Sequence, residues 1–85
     1  MKKIYISDYK PSMGILIDLE DASIYQEKHI NGSINIPYKK LLYDKDNLLN
    51  KNTAYYLYCN GGKKSRMATN LLDAYGFNVT QVLLK

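Results

Sequence analysis

The feature that most constrains the fold is residues 54–75, where a strand pattern, a tight turn and a helix pattern follow one another. Residues 54–58 are aromatic or apolar and predict a buried strand. A turn containing two glycines follows, and residues 65–75 then repeat with helical spacing. The apolar face of this helix is predicted to consist of Met67, Leu71, Leu72 and Tyr75. A strand that passes directly into a helix is typical of α/β sheets.

The rest of the chain supplies further strands and helices. Strand patterns lie at residues 3–7, 15–19, 33–36 and 79–84, and helix patterns lie at residues 21–28 and 38–43. Residues 15–19 form an almost continuous apolar run, which suits a strand covered on both faces of a parallel sheet. We therefore predict an α/β fold with a mostly parallel sheet and right-handed crossovers, formed by a single domain over residues 1–85.

Local signals predict where some of these elements begin and end. Asp21 is a plausible N-cap for the first helix, and Gly76 is placed to end the last helix. Residues 44–53 are rich in Asn, Asp and Lys and predict a polar loop. Leu48 and Leu49 are the apolar residues that we expect to anchor this loop to the core.

Composition excludes several classes of function. Cys59 and His29 are the only Cys and His, so an internal disulfide is impossible and a tetrahedral metal site lacks ligands. The chain has neither a signal-peptide pattern nor an apolar run of about 18 to 20 residues, so we expect a cytoplasmic protein with no membrane partner. The basic residues behind the net charge of +4 are scattered and match no nucleic-acid motif, so we expect no nucleic-acid partner.

Cys59 lies where the central strand pattern stops and the turn begins. A side chain at this position faces free backbone N–H groups and the positive end of a helix dipole, which bind anions and favour a thiolate. Lys63, Lys64 and Arg66 add positive charge nearby. The residues alone leave two interpretations open, because a lone cysteine also serves as a small buried apolar side chain and surface lysines are usually solvated.

Three segments of the chain resemble, in order and at about the same spacing, the rhodanese family of sulfurtransferase domains. The apolar run at residues 15–19 is similar to the family's strand ending in Asp. Residues 29–37, His-Ile-Asn-Gly-Ser-Ile-Asn-Ile-Pro, are similar to its H-I-P-G-A-x-N-I-P signature. Residues 59–65, Cys-Asn-Gly-Gly-Lys-Lys-Ser, are similar to its C-x-x-G-x-R-S active-site loop. The resemblance extends from about residue 15 to residue 84.

The resemblance implies a central five-stranded parallel sheet, flanked by short helices, and a cysteine that becomes a persulfide. Cys59 matches the nucleophile, which accepts a sulfane sulfur from a donor such as thiosulfate and passes it to a thiol or cyanide. The substrate- or anion-binding residues that the resemblance implies are Asn60, Gly61, Gly62, Lys63, Lys64 and Ser65. The partners are then a small-molecule sulfur donor and a thiol acceptor, or a sulfur-accepting protein, and no cofactor is needed.

Arg66 is expected to support the site with its positive charge. Two residues outside the loop, Asp18 and His29, each have two possible roles. Asp18 ends the second strand pattern and is either a catalytic acid or base, or a hydrogen-bonded carboxylate that shapes neighbouring loops. His29 invites a Cys–His dyad, but the resemblance implies a structural residue that pins the turn before the third strand.

The chain departs from the family pattern at several positions. Glu20 stands where the family commonly has Arg, Ile24 stands where it has Glu, and these two family residues usually form an ion pair. Lys64 replaces the loop's usual Arg, which removes the bidentate fork. The sequence ends at Lys85, before the Gly-Gly and final helix of most members, so we expect a partner surface to cover that edge.

Two other functions are considered beside sulfur transfer. A non-catalytic module that binds a protein partner or senses persulfide is favoured by the missing ion pair. A small phosphatase or arsenate reductase is disfavoured because related phosphatases carry a loop that is one residue longer. Tyrosine phosphatases have Arg six positions after Cys, where this chain has Ser65.

Overall fold

The computed structural model describes all 85 residues as an alternation of strands and short helices. The strands are β1 (Lys2–Tyr5), β2 (Ile15–Asp18), β3 (Ile34–Asn35), β4 (Ala54–Tyr58) and β5 (Asn78–Leu83). The helices are α1 (Ala22–Glu27), α2 (Tyr38–Tyr43), α3 (Lys45–Leu48) and α4 (Lys63–Ala74). None of the helices combines the length and the apolar character required to cross a membrane.

The five strands form one sheet in the order β1-β5-β4-β2-β3, and every neighbouring pair is parallel. The predicted α/β fold with a five-stranded parallel sheet is therefore confirmed. β4 lies at the centre, and its register pairs Tyr58 with Asp18 on β2 and Leu57 with Gln81 on β5. Because parallel strands end at the same edge, the residues after β2 and β4 meet there.

Side chains that alternate along β4 pack into two cores on opposite faces of the sheet. Leu57 and Cys59 belong to the larger core, which also contains Ala68 and Leu72 of α4. Tyr58 belongs to the smaller core on the other face. Cys59 therefore lies on the face that α4 covers, next to the beginning of that helix.

The apolar face predicted for α4 is wrong except at Leu72. The helix begins at Lys63 rather than at residue 65, and Met67, Leu71 and Tyr75 are exposed. Its buried residues are Ser65, Ala68, Thr69 and Leu72, which recur at i, i+3, i+4 and i+7. Three of these four side chains are small, so a pattern based on hydrophobicity selects the larger apolar residues beside them.

Other boundaries differ by a few residues. β1 ends at Tyr5 and continues as a 3₁₀ turn at Ile6–Asp8, whereas a strand over residues 3–7 was predicted. The predicted loop at residues 44–53 contains α3, although Leu49 is buried and Leu48 packs on the core as expected.

The helix ends follow the predicted signals in part. Asp21 occupies the N-cap position of α1, but its side chain makes no capping hydrogen bond. Gly76 follows α4 with a φ of +90°. The amides of Gly76 and Phe77 donate to the carbonyls of Asp73 and Leu72, which is the pattern of a Schellman motif.

Candidate active site

Cys59 directly follows β4, and only 3% of its surface is exposed. The strand ends here because the next residues turn away through Gly62, which has a φ of +84° and is the N-cap of α4. This left-handed conformation is accessible to glycine at little cost. Residues 59–64 therefore run from the end of the central strand, through the turn at Gly62, into the first two residues of a 12-residue helix. We refer to residues 59–64 as the reactive loop.

Ser65 supplies both hydrogen-bond partners of the Cys59 sulfur. Its backbone N–H donates to Sγ over 3.1 Å, and its hydroxyl oxygen lies 3.4 Å from Sγ. Ser65 is completely buried in the first turn of α4. An N–H group of a helix N-terminus that points at sulfur stabilises negative charge on that sulfur.

Most backbone amides of the reactive loop have no partner within the chain. The amides of Gly61, Gly62, Lys63 and Lys64 take part in none of its backbone hydrogen bonds and in none to side chains. Asn60 differs, because its N–H donates to Glu20 Oε2 over 2.7 Å. The loop thus presents four free N–H groups, whereas the amide of Asn60, one of the residues expected to bind an anion, has another partner.

Glu20 is a buried carboxylate that contacts the reactive loop at both ends. Oε2 accepts from the amide of Asn60, and Oε1 accepts from Lys64 Nζ over 3.2 Å. The hydrogen bond from the Asn60 amide lowers the pKa of Glu20, with help from Lys64 and against the effect of burial. The same carboxylate raises the pKa of Lys64. Lys64 therefore carries its charge next to a negative partner.

The sequence alone does not reveal this pair, because Glu20 and Lys64 stand there as two separate departures from the family pattern. Glu20 follows β2 and Lys64 follows β4, so only the pairing of these strands brings the two residues together. The usable signal was the reversed charge at residue 20, where an acid replaces Arg, together with the lysine that keeps the positive charge of the loop. The chain thus has an ion pair between different residues from those of the family pattern.

Gln81 is a second residue that the sequence did not single out. It lies on β5 and is buried, and its Nε2 donates to both Gly62 O and Ser65 Oγ over 3.0 Å. The available signal was a single long polar side chain within the last apolar strand pattern. Because buried polar groups require partners, such a residue indicates a hydrogen-bond network.

The contacts of Asp18 fit the second of its two possible roles, a hydrogen-bonded carboxylate that shapes the neighbouring loop. It is buried, and Oδ1 accepts from the backbone amide of Glu20 over 2.8 Å. Asn35 Nδ2 also donates to the carbonyl oxygens of Asp18 and Glu20. No hydrogen bond joins Asp18 to Cys59. These contacts position Glu20 for its role at the reactive loop.

Burial raises the pKa of the neighbouring Tyr58 to about 12, and the Asp18 carboxylate contributes in the same direction. The Tyr58 hydroxyl accepts from the amide of Ile30 over 3.0 Å and lies 3.2 Å from Ser33 Oγ. Tyr58 therefore stays protonated at neutral pH and ties the turn before β3 to the central strand.

The remaining candidate residues lie outside this network. His29 stacks on Tyr25, with ring centroids 3.7 Å apart, and its Nδ1 lies 2.7 Å from the Tyr25 carbonyl oxygen. It makes no hydrogen bond with Cys59, so the geometry has no Cys–His dyad. Lys63 and Arg66 are exposed and take part in no ion pair. Lys63 adds positive charge within the reactive loop, and Arg66 adds it just after the loop.

A cleft of about 320 Å³ opens beside Cys59. Gly61 and Gly62 line it on one side, and Leu84 and Lys85 on the other. A larger depression of about 790 Å³ lies along α2 and does not reach the cysteine, so its size does not mark it as the reactive site. No group of three His, Cys, Asp or Glu side chains is placed to hold a metal ion. The cleft leaves room for a small molecule next to Cys59.

Several known proteins share sequence and fold with this chain. The model of the family described as the Rhodanese-like domain matches residues 5–84. The chain is 34% identical over 65 residues to "Thiosulfate sulfurtransferase PspE" of Escherichia coli K12, covering 72% of this chain and 60% of that protein. It is 33% identical over 70 residues to "Putative sulfur carrier protein YrkF" of Bacillus subtilis, covering 82% of this chain and 37% of that protein. The chain thus spans less than two thirds of either relative.

A solved structure has the same fold. The crystal structure of a rhodanese-related protein from Thermoplasma volcanium superposes with a TM-score of 0.86 at 25% identity. The superposition covers 96% of this chain and 83% of that one. The shared fold therefore extends over nearly all of this chain.

Proposed function

The chain belongs to the rhodanese-like domain family, and on this premise we propose that it transfers sulfane sulfur through a persulfide on Cys59. Its relatives are named as sulfurtransferases and as a sulfur carrier. The observation that carries the proposal is the Ser65 N–H, which lies 3.1 Å from Sγ beside four unpaired loop amides. This arrangement favours an anionic sulfur before the reaction and an anionic persulfide after it.

In the first half-reaction the Cys59 thiolate attacks the outer sulfur of a donor such as thiosulfate. A bond forms between Sγ and that sulfur, and the sulfur–sulfur bond of thiosulfate breaks. The bonding electron pair leaves with sulfite, so the total charge is unchanged. Lys63 in the loop and Arg66 just after it are exposed, and their charges attract both the incoming and the leaving anion.

In the second half-reaction an acceptor thiolate attacks the outer sulfur of the persulfide. The sulfur–sulfur bond breaks, and its electron pair returns to Sγ as the Cys59 thiolate. The amides of Gly61, Gly62, Lys63 and Lys64 hold the terminal sulfur until then. They are fixed before the reaction, because α4 continues directly from the loop. The acceptor is a small thiol or a cysteine of a partner protein.

Glu20 and Asp18 act as supports in this scheme. Asp18 holds the amide of Glu20, and Glu20 in turn holds Asn60 and Lys64. Lys64 shares its charge with Glu20, so it draws anions less strongly than a free lysine does. The backbone amides, and not the Lys64 ammonium group, therefore provide the main contact for the persulfide.

Turnover tests the proposal most simply with thiosulfate as donor and cyanide as acceptor. We expect thiocyanate to form with the wild-type protein and not with Cys59→Ser, provided that both proteins have the same circular dichroism spectrum. Equal activity in the two proteins contradicts the proposal. A persulfide that forms on Cys59 without turnover on cyanide or thiols points instead to the persulfide-sensing module.

A further inference from the structure

Gln81 is a buried amide behind the reactive loop that the transfer steps leave without a role. Its Nε2 donates to Gly62 O and Ser65 Oγ, each over 3.0 Å. The carbonyl oxygen of Gly62 can only accept, so the atom that faces it is the NH₂ group and not Oε1. Both protons of this NH₂ group are therefore used, one by Gly62 and the other by Ser65.

The carbonyl oxygen of Gly62 has enough donors without Ser65. It accepts from the Arg66 amide over 3.1 Å and from Gln81 Nε2 over 3.0 Å. These two donors fill its two lone pairs. Ser65 Oγ, at 3.2 Å, is a third and weaker donor. The Ser65 hydroxyl proton can thus turn away without leaving a buried carbonyl unpaired.

The sulfur of Cys59 is the other group within reach of that proton, since Sγ lies 3.4 Å from Ser65 Oγ. A thiol donates its proton to Oγ, whereas a thiolate or persulfide can only accept. Gln81 occupies one lone pair of Oγ. When the sulfur becomes anionic, the hydroxyl turns its proton from Gly62 O to Sγ. The anion then accepts from both the N–H and the O–H of Ser65.

We infer that Gln81 is a positioning residue that holds the Ser65 hydroxyl as a hydrogen-bond donor to the anionic sulfur of Cys59. It acts through Ser65, because no hydrogen bond joins Gln81 to Cys59. The inference rests on the proposed function only in that Cys59 reacts as an anion. It does not depend on the identity of the sulfur donor.

The test is the pH profile of Cys59 alkylation by iodoacetamide in a double-mutant cycle. The four proteins are wild type, Gln81→Met, Ser65→Ala and the double variant. We expect each single variant to move the midpoint upward by about one pH unit, since one hydrogen bond to a charged group has about that effect. The double variant should move no further than Ser65→Ala alone, because Gln81 has then lost the group through which it acts.

Other charges around the loop are the same in all four proteins. The titratable groups that face the loop and its cleft are Tyr5, Asp18, Glu20, Asp21, Lys39, Tyr58, Lys63, Lys64 and Lys85. Their effects cancel in the cycle. Thr80→Val is the matched control, because Thr80 is buried on the same strand but on the opposite face. Its midpoint should equal that of the wild type.

Two results overturn the inference. One is an unchanged midpoint in Gln81→Met, and the other is a Gln81→Met shift that persists in full when Ser65 is already alanine. If Gln81→Met does not fold, Gln81→Asn withdraws the same amide by one methylene and completes the cycle. Alkylation requires no sulfur donor. A protein that shows the coupling but gains no sulfur therefore refutes the proposed transfer and leaves the role of Gln81 standing.

Discussion

Glu20→Gln removes the charge that holds both ends of the reactive loop, and we expect it to destabilise the fold by about 2 kcal/mol. Glutamine offers one acceptor to two donors, so either the Asn60 amide or Lys64 loses its partner. The amide donates over 2.7 Å to a side chain that is only 9% exposed, and a hydrogen bond to such a charge contributes about 1.5–3 kcal/mol. Lys64 is 43% exposed, so water replaces its partner and that loss is below about 1 kcal/mol.

The pH dependence of this effect has a definite sign. The folded protein lowers the pKa of Glu20, so the carboxylate stabilises the fold above the pKa it has in the unfolded chain. This stabilisation is lost as the pH falls through the lowered pKa. The difference between wild type and Glu20→Gln should therefore be largest near neutrality and should shrink below about pH 4. Lys64 has a raised pKa, so its own deprotonation removes its contribution only in alkaline solution.

Urea unfolding of wild type, Glu20→Gln and Lys64→Met at about pH 7 and about pH 3 measures these quantities. Lys64→Met is the matched control, since it removes the exposed half of the ion pair and leaves the bond from Asn60 intact. The reasoning is refuted if Lys64→Met costs as much as Glu20→Gln. It is also refuted if the cost of Glu20→Gln does not decrease in acid.

Two further pairs of variants test the loop and the helix by the same unfolding measurement. Gly62→Ala should lower the free energy of unfolding by about 1–2 kcal/mol, because the φ of +84° at this position is strained for alanine. Gly61 has no positive φ, and a Cβ atom there would meet no other atom, so Gly61→Ala should change this free energy by less than about 0.5 kcal/mol. Equal costs contradict the loop geometry. Leu72→Ala should lower the free energy of unfolding by about 2–5 kcal/mol, since Leu72 is fully buried. Leu71 is 38% exposed, so Leu71→Ala should lower it by less than about 1 kcal/mol. The reverse order contradicts the observed helix face.

The sequence was sufficient for the architecture, because each strand has a local pattern of its own. The apolar runs at residues 15–19 and 54–58 predict strands β2 and β4, and the glycine turn predicts the loop between β4 and α4. Cys59 was placed at the end of the central strand for the same reason. These features depend on short-range patterns, which a single sequence contains.

The face of α4 could not be predicted from hydrophobicity, since the helix packs against the sheet through Ser65, Ala68 and Thr69. Small side chains allow close approach but carry little apolar signal. Leu71 and Met67 are more hydrophobic and lie beside this face. The packing of the whole fold, and not the local pattern, selected the buried residues.

The supporting network around Cys59 depends on strand order and register. Glu20 reaches Lys64 because β2 neighbours β4, and Gln81 reaches Ser65 because β5 lies on the other side of β4. Each pair is separated by at least 16 residues in the sequence. No spacing rule for a single helix or strand connects such positions, so these contacts appear only in the folded chain.

The intact mass of the protein after incubation with thiosulfate tests the central claim most directly. The chain has one cysteine, so a gain of one sulfur atom identifies the site without further mapping. The account predicts this gain in wild type, its removal by cyanide and its absence in Cys59→Ser. Folded protein with a free thiol that gains no sulfur from thiosulfate or polysulfide contradicts the account.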